Sequence, residues 1–104
     1  MKNDNYEYNV TESSVTITKY IGTSTEVVIP DTIEGFPVIS IADCAFEGLS
    51  ELTSVTLPSC LREIGSNAFN GCLGLVEITI PSGTMVGNYA FYGCTNTKIH
   101  KGGK

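Results

Sequence analysis

The 104 residues carry 6 basic and 11 acidic side chains, a net charge of −5 with a pI near 4.6, which argues against a nucleic-acid binder that works by charge alone. Charged residues make up 16% and apolar ones 41%, against roughly 25% charged in an average soluble protein, so neither a disordered tail nor a coiled coil is written here. The length is that of one domain with a modest core, and no apolar run is long enough for membrane insertion.

Thirty residues are β-branched (12 Thr, 10 Ile and 8 Val) while Ala and Leu together number 10, a preference for strand over helix. The opening Met1-Lys2-Asn3-Asp4-Asn5-Tyr6 lacks the basic-then-apolar pattern of a leader, which predicts a cytoplasmic protein if the chain is complete as given. Tyr6, Tyr8 and Val10 then alternate with polar residues, Glu12-Ser13-Ser14 make a turn, and Val15 and Ile17 alternate with Thr16 and Thr18. That pattern predicts a β-hairpin within residues 1–26 that caps the rest of the chain.

From residue 27 to 100 a repeat governs the chain. Val27-Val28-Ile29-Pro30 recurs as Val55-Thr56-Leu57-Pro58 and again as Ile78-Thr79-Ile80-Pro81. Ala45-Phe46-Glu47-Gly48 recurs in step as Ala68-Phe69-Asn70-Gly71 and Ala90-Phe91-Tyr92-Gly93. The first interval between the proline-ended runs is longer than the second because of Glu34-Gly35-Phe36-Pro37-Val38, a loop inserted in the first coil. A unit of about 23 residues is too short to bury its own apolar face, so successive units stack and share one core, which makes a solenoid of about three coils. In each coil Val-x-Leu or Ile-x-Ile forms a half-buried strand that proline ends. Phe46, Phe69 and Phe91 are expected to form a column, spaced like strands at roughly 4.8 Å. Beyond Cys94 the apolar rhythm fades, so a closing segment and a flexible basic tail at 101–104 are predicted, Lys98, Lys101 and Lys104 placing three positive charges at the end of a body that holds all eleven acids.

These recurring runs, Ile-Gly-x-x-Ala-Phe-x-Gly-Cys and Leu-x-x-Val-x-Leu-Pro at a period of about 23 residues, resemble the BspA-type leucine-rich repeats of bacterial surface proteins across about residues 13–99. The resemblance implies a mainly β, right-handed leucine-rich-repeat solenoid with a strand-lined face. It also implies an extracellular or cell-surface setting and binding to host proteins, matrix proteins or other cells.

Candidate chemistry is sparse. Cys44, Cys60, Cys72 and Cys94 are widely and unevenly spaced, without the Cys-x-x-Cys pairs of zinc sites. Cys72 and Cys94 share the repeat position that Leu49 fills in the first coil, which predicts buried thiols; a bond between them stays open, because adjacent coils bring α-carbons within disulfide range. Cys44 and Cys60 are expected to be free. His100 has no nucleophile or fixed carboxylate at hand in the repeat frame, so no catalytic residue, metal or cofactor is indicated. Tyr6, Tyr8, Tyr20, Phe36, Tyr89 and Tyr92 either form a carbohydrate- or protein-binding strip or pack the cap and edges.

The outward strand positions make the stronger binding candidate. In register, Glu26, Val28, Ser54, Thr56, Glu77 and Thr79 line one sheet face, with Thr53 and Val76 beside them. They form a flat, partly acidic patch suited to a protein partner with a basic surface, against the plain alternative of a solvated sheet. Two functions are compatible with this: a non-enzymatic protein–protein interaction module of the adhesion type, or a small acidic intracellular inhibitor or decoy that occludes a basic protein surface.

Overall fold

The computed structural model describes residues 1–102, of which 39% are strand and none helix. The order is β1 (Tyr6–Thr11), β2 (Ser14–Tyr20), β3 (Glu26–Val28), β4 (Thr32–Ile33), β5 (Phe36–Ile41), β6 (Ser54–Thr56), β7 (Glu63–Ile64), β8 (Glu77–Ile80), β9 (Met85–Val86) and β10 (Lys98–Lys101). They form two sheets. The first runs β1-β2-β5-β7-β9, with β4 paired to β5, and the second, the repeat sheet, runs β10-β8-β6-β3.

The hairpin forms where the alternation places it. Glu12 and Ser13 connect β1 to β2 with φ of 52° and 65°, the two positive angles of a two-residue turn whose twist suits a hairpin. The hairpin is nonetheless part of the solenoid rather than a lid upon it. β2 pairs in parallel with β5, Val15 opposite Val38 and Ile17 opposite Ile41, so β2 is the first rung and only antiparallel β1 extends beyond the coils. The insertion that lengthens the first coil is a hairpin too, with Ile33 opposite Phe36 and its turn at Glu34 (φ 57°) and Gly35 (φ 82°). Glu34 Oε2 accepts a 2.5 Å hydrogen bond from the Tyr8 hydroxyl, which ties the insertion to β1.

The ring column continues one coil further than the Phe repeat. Tyr20, Phe46, Phe69 and Phe91 stack with centroids 5.3, 5.0 and 5.4 Å apart, and Tyr6 tilts across Tyr20 at 5.6 Å. Phe46 and Phe69 are fully buried, and Tyr6, Tyr8 and Tyr20 are buried as well. Three of the six aromatics weighed for a binding strip are therefore cap and core.

The third side of each coil has its own backbone ladder: Tyr20 N donates to Ala45 O, Phe46 N to Ala68 O and Phe69 N to Ala90 O, at 2.7–3.0 Å. Two left-handed corners frame that side. One is Cys44, Asn67 and Tyr89 at φ of 61–63°, the other Gly48, Gly71 and Gly93 at φ of 78–81°, where glycine is the residue without a steric penalty. Gly87 answers a different need: a Cβ there would stand 2.6 Å from Ser66 N of the coil before it.

The four cysteines are thiols. Cys44 and Cys60 are exposed, Cys72 is buried and Cys94 half-buried. Cys72 Sγ donates to Phe46 O and Cys94 Sγ to Phe69 O, each at 3.1 Å. The apolar position of Leu49 is thus reused for a small side chain that satisfies a carbonyl of the preceding coil. Burial, with Cys94 nearby, pushes the Cys72 thiol up to about 11.

The boundary drawn at residue 101 moves. Lys98 to Lys101 add to β8 as a parallel strand, Lys98 opposite Glu77 and Lys101 opposite Ile80, and Gly102 N donates to Ile80 O at 2.6 Å. The segment keeps the backbone register although only Ile99 remains of the apolar pattern, because parallel pairing draws on main-chain groups that every residue supplies. Lys104 lies outside the described residues.

Candidate functional site

The outward face of the repeat sheet is set by alternation. Val27, Val55 and Ile78 point into the core, each 4% exposed or less, so their neighbours on either side point outward. Register then aligns those neighbours into rows. Glu26 stands opposite Ser54, Ser54 opposite Glu77, and Glu77 opposite Lys98. Val28 stands opposite Thr56, and Thr79 opposite His100. All eight of these side chains are exposed, as is Val76; Thr53 is half-buried, its Oγ1 donating to Thr25 O at 3.1 Å. Of the residues read from the sequence, Glu26, Val28, Ser54, Thr56, Glu77 and Thr79 lie in the paired strands, while Thr53 and Val76 stand one residue before β6 and β8.

Lys98 and His100 complete the rows, and the sequence reading misses them. A signal for them is present: Lys98-Ile99-His100 follows Glu77-Ile78-Thr79 after nearly one repeat length, with the same polar-apolar-polar order. Their arrival changes the electrostatics. His100 Nε2 lies 3.0 Å from Glu77 Oε1, so one of the two acids on the face already has a partner, while Glu26 has no ion pair among the described residues. Both members of the pair are well exposed, and such pairs contribute at most about 1 kcal/mol. The face is therefore mostly polar, with exposed Val28 and Val76 as its apolar members, acidic at the Glu26 end and carrying Lys98 at the β10 end.

Ser54, Thr56, Ser59, Thr79, Glu77 and His100 border an open groove of about 850 Å³ across this face. Its lining mixes hydroxyl groups and the hydrogen-bonded Glu77–His100 pair with apolar Val55, Leu57, Ile78 and Pro81, on a backbone held by parallel ladders. Such a surface offers hydrogen bonds and charge to a partner that lies along it.

Two exposed tyrosines stand elsewhere. Tyr89 and Tyr92, 66% and 64% exposed, meet edge to face at 5.7 Å on the third side of the last coil.

Parallel ladders, stacked rings and short coils define a leucine-rich-repeat β-solenoid. Residues 16–101 match the model of the BspA type leucine rich repeat region in six copies, and the chain belongs to that family. Among solved structures it is similar to a leucine rich cell surface protein from Faecalibacterium prausnitzii A2-165, with 29% identity over 97% of this chain and 31% of that one, and a TM-score of 0.82. It is similar also to a leucine-rich repeat protein from Bacteroides ovatus ATCC 8483, with 32% identity, 95% and 28% coverage, and a TM-score of 0.83. A leucine-rich repeat protein from Bacteroides capillosus ATCC 29799 shares the fold at 23% identity, 99% and 98% coverage, and a TM-score of 0.70. The chain thus spans less than a third of the length of the first two. No curated protein matches it.

Proposed function

We propose that this chain is a non-enzymatic protein-recognition module that binds through the outward face of the repeat sheet, with Glu26, Val28, Thr53, Ser54, Thr56, Val76, Glu77 and Thr79 joined by Lys98 and His100. The observation that carries the reading is the register: four parallel strands project their outward side chains in straight rows. A partner lying along the sheet meets an ordered set of groups whose positions cost little entropy to fix. Membership of a leucine-rich-repeat family supports an interaction role. The partner that fits has a basic surface against the Glu26 end and an acidic group against Lys98. A bacterial cell-surface setting agrees with what the Faecalibacterium relative is described to be.

The experiment is a pull-down from host and bacterial lysates, followed by affinity measurement on the partner recovered. Charge reversal at Glu26 and Glu77 together is expected to weaken binding at least tenfold, about 1.4 kcal/mol. Binding that survives this reversal, and that of Lys98, unchanged for every partner would refute use of the strand face.

A further inference from the structure

The core and its margins absorb every aromatic ring but two. Of the five tyrosines and four phenylalanines, seven are buried or half-buried. Tyr89 and Tyr92 stand exposed, and they stand together, their rings perpendicular with centroids 5.7 Å apart. Large apolar side chains scattered singly over a surface are ordinary, whereas an adjoining pair makes a patch.

One of the two rings is held under strain. Tyr89 has φ of 62°, a left-handed conformation in which a bulky side chain is an outlier and asparagine is at ease. The preceding coil has Asn67 at that corner, with φ of 61°. The ring is therefore kept where a smaller residue would be more stable, and strain of this kind gathers at ligand clamps.

The patch lies on the flank of the stack. The repeat sets Tyr89 in a row with Cys44 and Asn67, and Tyr92 in a row with Glu47 and Asn70. Cys44 and Glu47 are exposed although coils adjoin theirs on both sides, so both rows face solvent within the stack itself. Asn67 N donates to Asn88 O at 3.1 Å and Gly71 N to Tyr92 O at 2.9 Å, which sets the two amides one coil from the rings, about 4.8 Å along the stack. Asn70 Nδ2 donates to Asn67 Oδ1 at 2.9 Å, leaving Asn67 Nδ2 to donate and Asn70 Oδ1 to accept. That acceptor reaches towards the ring coil, 4.0 Å from where a Cβ on Gly93 would stand, next to Tyr92.

We propose that Tyr89 and Tyr92, with Asn67 and Asn70, form a binding site for a neutral carbohydrate. A pyranose carries C–H groups on its face and hydroxyls around its rim. Its face lies on one tyrosine ring, the perpendicular ring walls one side, and the rim meets the amides. Three features select a sugar as the occupant. Two tyrosines offer at most about 300 to 500 Å², well under the roughly 800 Å² that each side of a stable protein interface buries. Residues 78–104 hold no acidic side chain, so a quaternary ammonium, the other ligand that perpendicular rings suit, finds no carboxylate in the ring coil. A free donor beside a free acceptor matches neighbouring hydroxyls, each able to give and to receive a hydrogen bond.

Saturation-transfer NMR tests this with choline and with tetrasaccharides of β-linked glucose, galactose, mannose and N-acetylglucosamine, at up to about 10 mM, above the dissociation constant of about 1 mM expected of a small open site. Transfer to at least one sugar is expected, strongest at the C–H protons of one ring face. Tyr92→Ala is expected to weaken that binding about fivefold or more and, since the ring is exposed, to leave the thermal midpoint in place. Tyr89→Asn, which restores the residue of the preceding corner, is expected to weaken binding while raising the midpoint. No transfer across the sugars, choline bound in preference to all of them, or sugar binding undiminished in Tyr92→Ala would each overturn the proposal. So would capture of a protein that Tyr92→Ala abolishes while no sugar binds.

Discussion

Removing the ring of Phe69 tests the stacked column at its centre. The side chain is fully buried, with Phe46 on one face at 5.0 Å and Phe91 on the other at 5.4 Å. Phe69→Ala leaves a cavity that the coils cannot collapse into, because Ala68 and Ala90 on either side of the ladder are already pinned by backbone hydrogen bonds. The expected cost is about 3 to 5 kcal/mol, a large share of the roughly 5 to 15 kcal/mol that holds a domain of this size. Each kcal/mol moves the melting midpoint by about 4 to 8 °C in a chain of about 100 residues, so a fall of at least about 12 °C is expected. Phe91→Ala is the internal control: with one side of its ring uncovered, it is expected to cost about 1 to 2 kcal/mol. Urea unfolding followed by circular dichroism measures both. Because each coil touches only its neighbours, the central substitution is also expected to weaken the coupling of the two halves and lower the denaturant slope. A loss below about 1 kcal/mol for Phe69→Ala, or a larger loss for Phe91→Ala, would refute this packing of the column.

Alkaline conditions probe the cap. Burial and the neighbouring Tyr20 push the Tyr6 phenol up to about 12, and the bond to Glu34 raises Tyr8 above its ordinary value of 10.0. An unfolded tyrosine ionises first, so above pH 10 the folded state holds more protons and stability declines as pH climbs from about 10 to about 12. The urea midpoint is expected to fall through that window, and less steeply in Tyr6→Phe; an identical decline in the variant would refute the assignment. Thiol labelling reads the corners against the core. Exposed Cys44 and Cys60 are expected to react in the folded protein and Cys72 only as fast as the protein opens, so a Cys72 that labels as quickly as Cys60 would contradict its place beneath Phe46 O.

Repetition makes much of this fold readable in the sequence. The column of Phe46, Phe69 and Phe91 and the outward rows of β3, β6 and β8 follow from period and alternation alone, because each position recurs in the same surroundings. Elements outside the repeat are harder. Tyr20 joins the column with Gly22 placed after it as Gly48 is after Phe46, but Lys19 replaces the alanine, and the interval from Tyr20 to Phe46 is longer than either interval between the phenylalanines. The hairpin expected as a cap is half coil, since alternation in β2 says which face is buried and not which strand lies beside it. On the candidate face the eight outward residues are legible, whereas Lys98 and His100 are concealed by the loss of apolar neighbours. Main-chain pairing holds β10 in place, and the polar-apolar-polar order around Ile99 is its one faint mark in the sequence.

The rows on the repeat sheet give the fold an arithmetic of growth. Since each coil contributes one residue to each row and contacts only the coils beside it, duplicating a unit would extend every row by one position, about 4.8 Å, and disturb no residue already there. Deleting a unit would shorten them equally. A lineage built this way can lengthen its reach along a partner by copying DNA and then alter single letters within the new position, so the span of recognition and its chemistry evolve by separate routes.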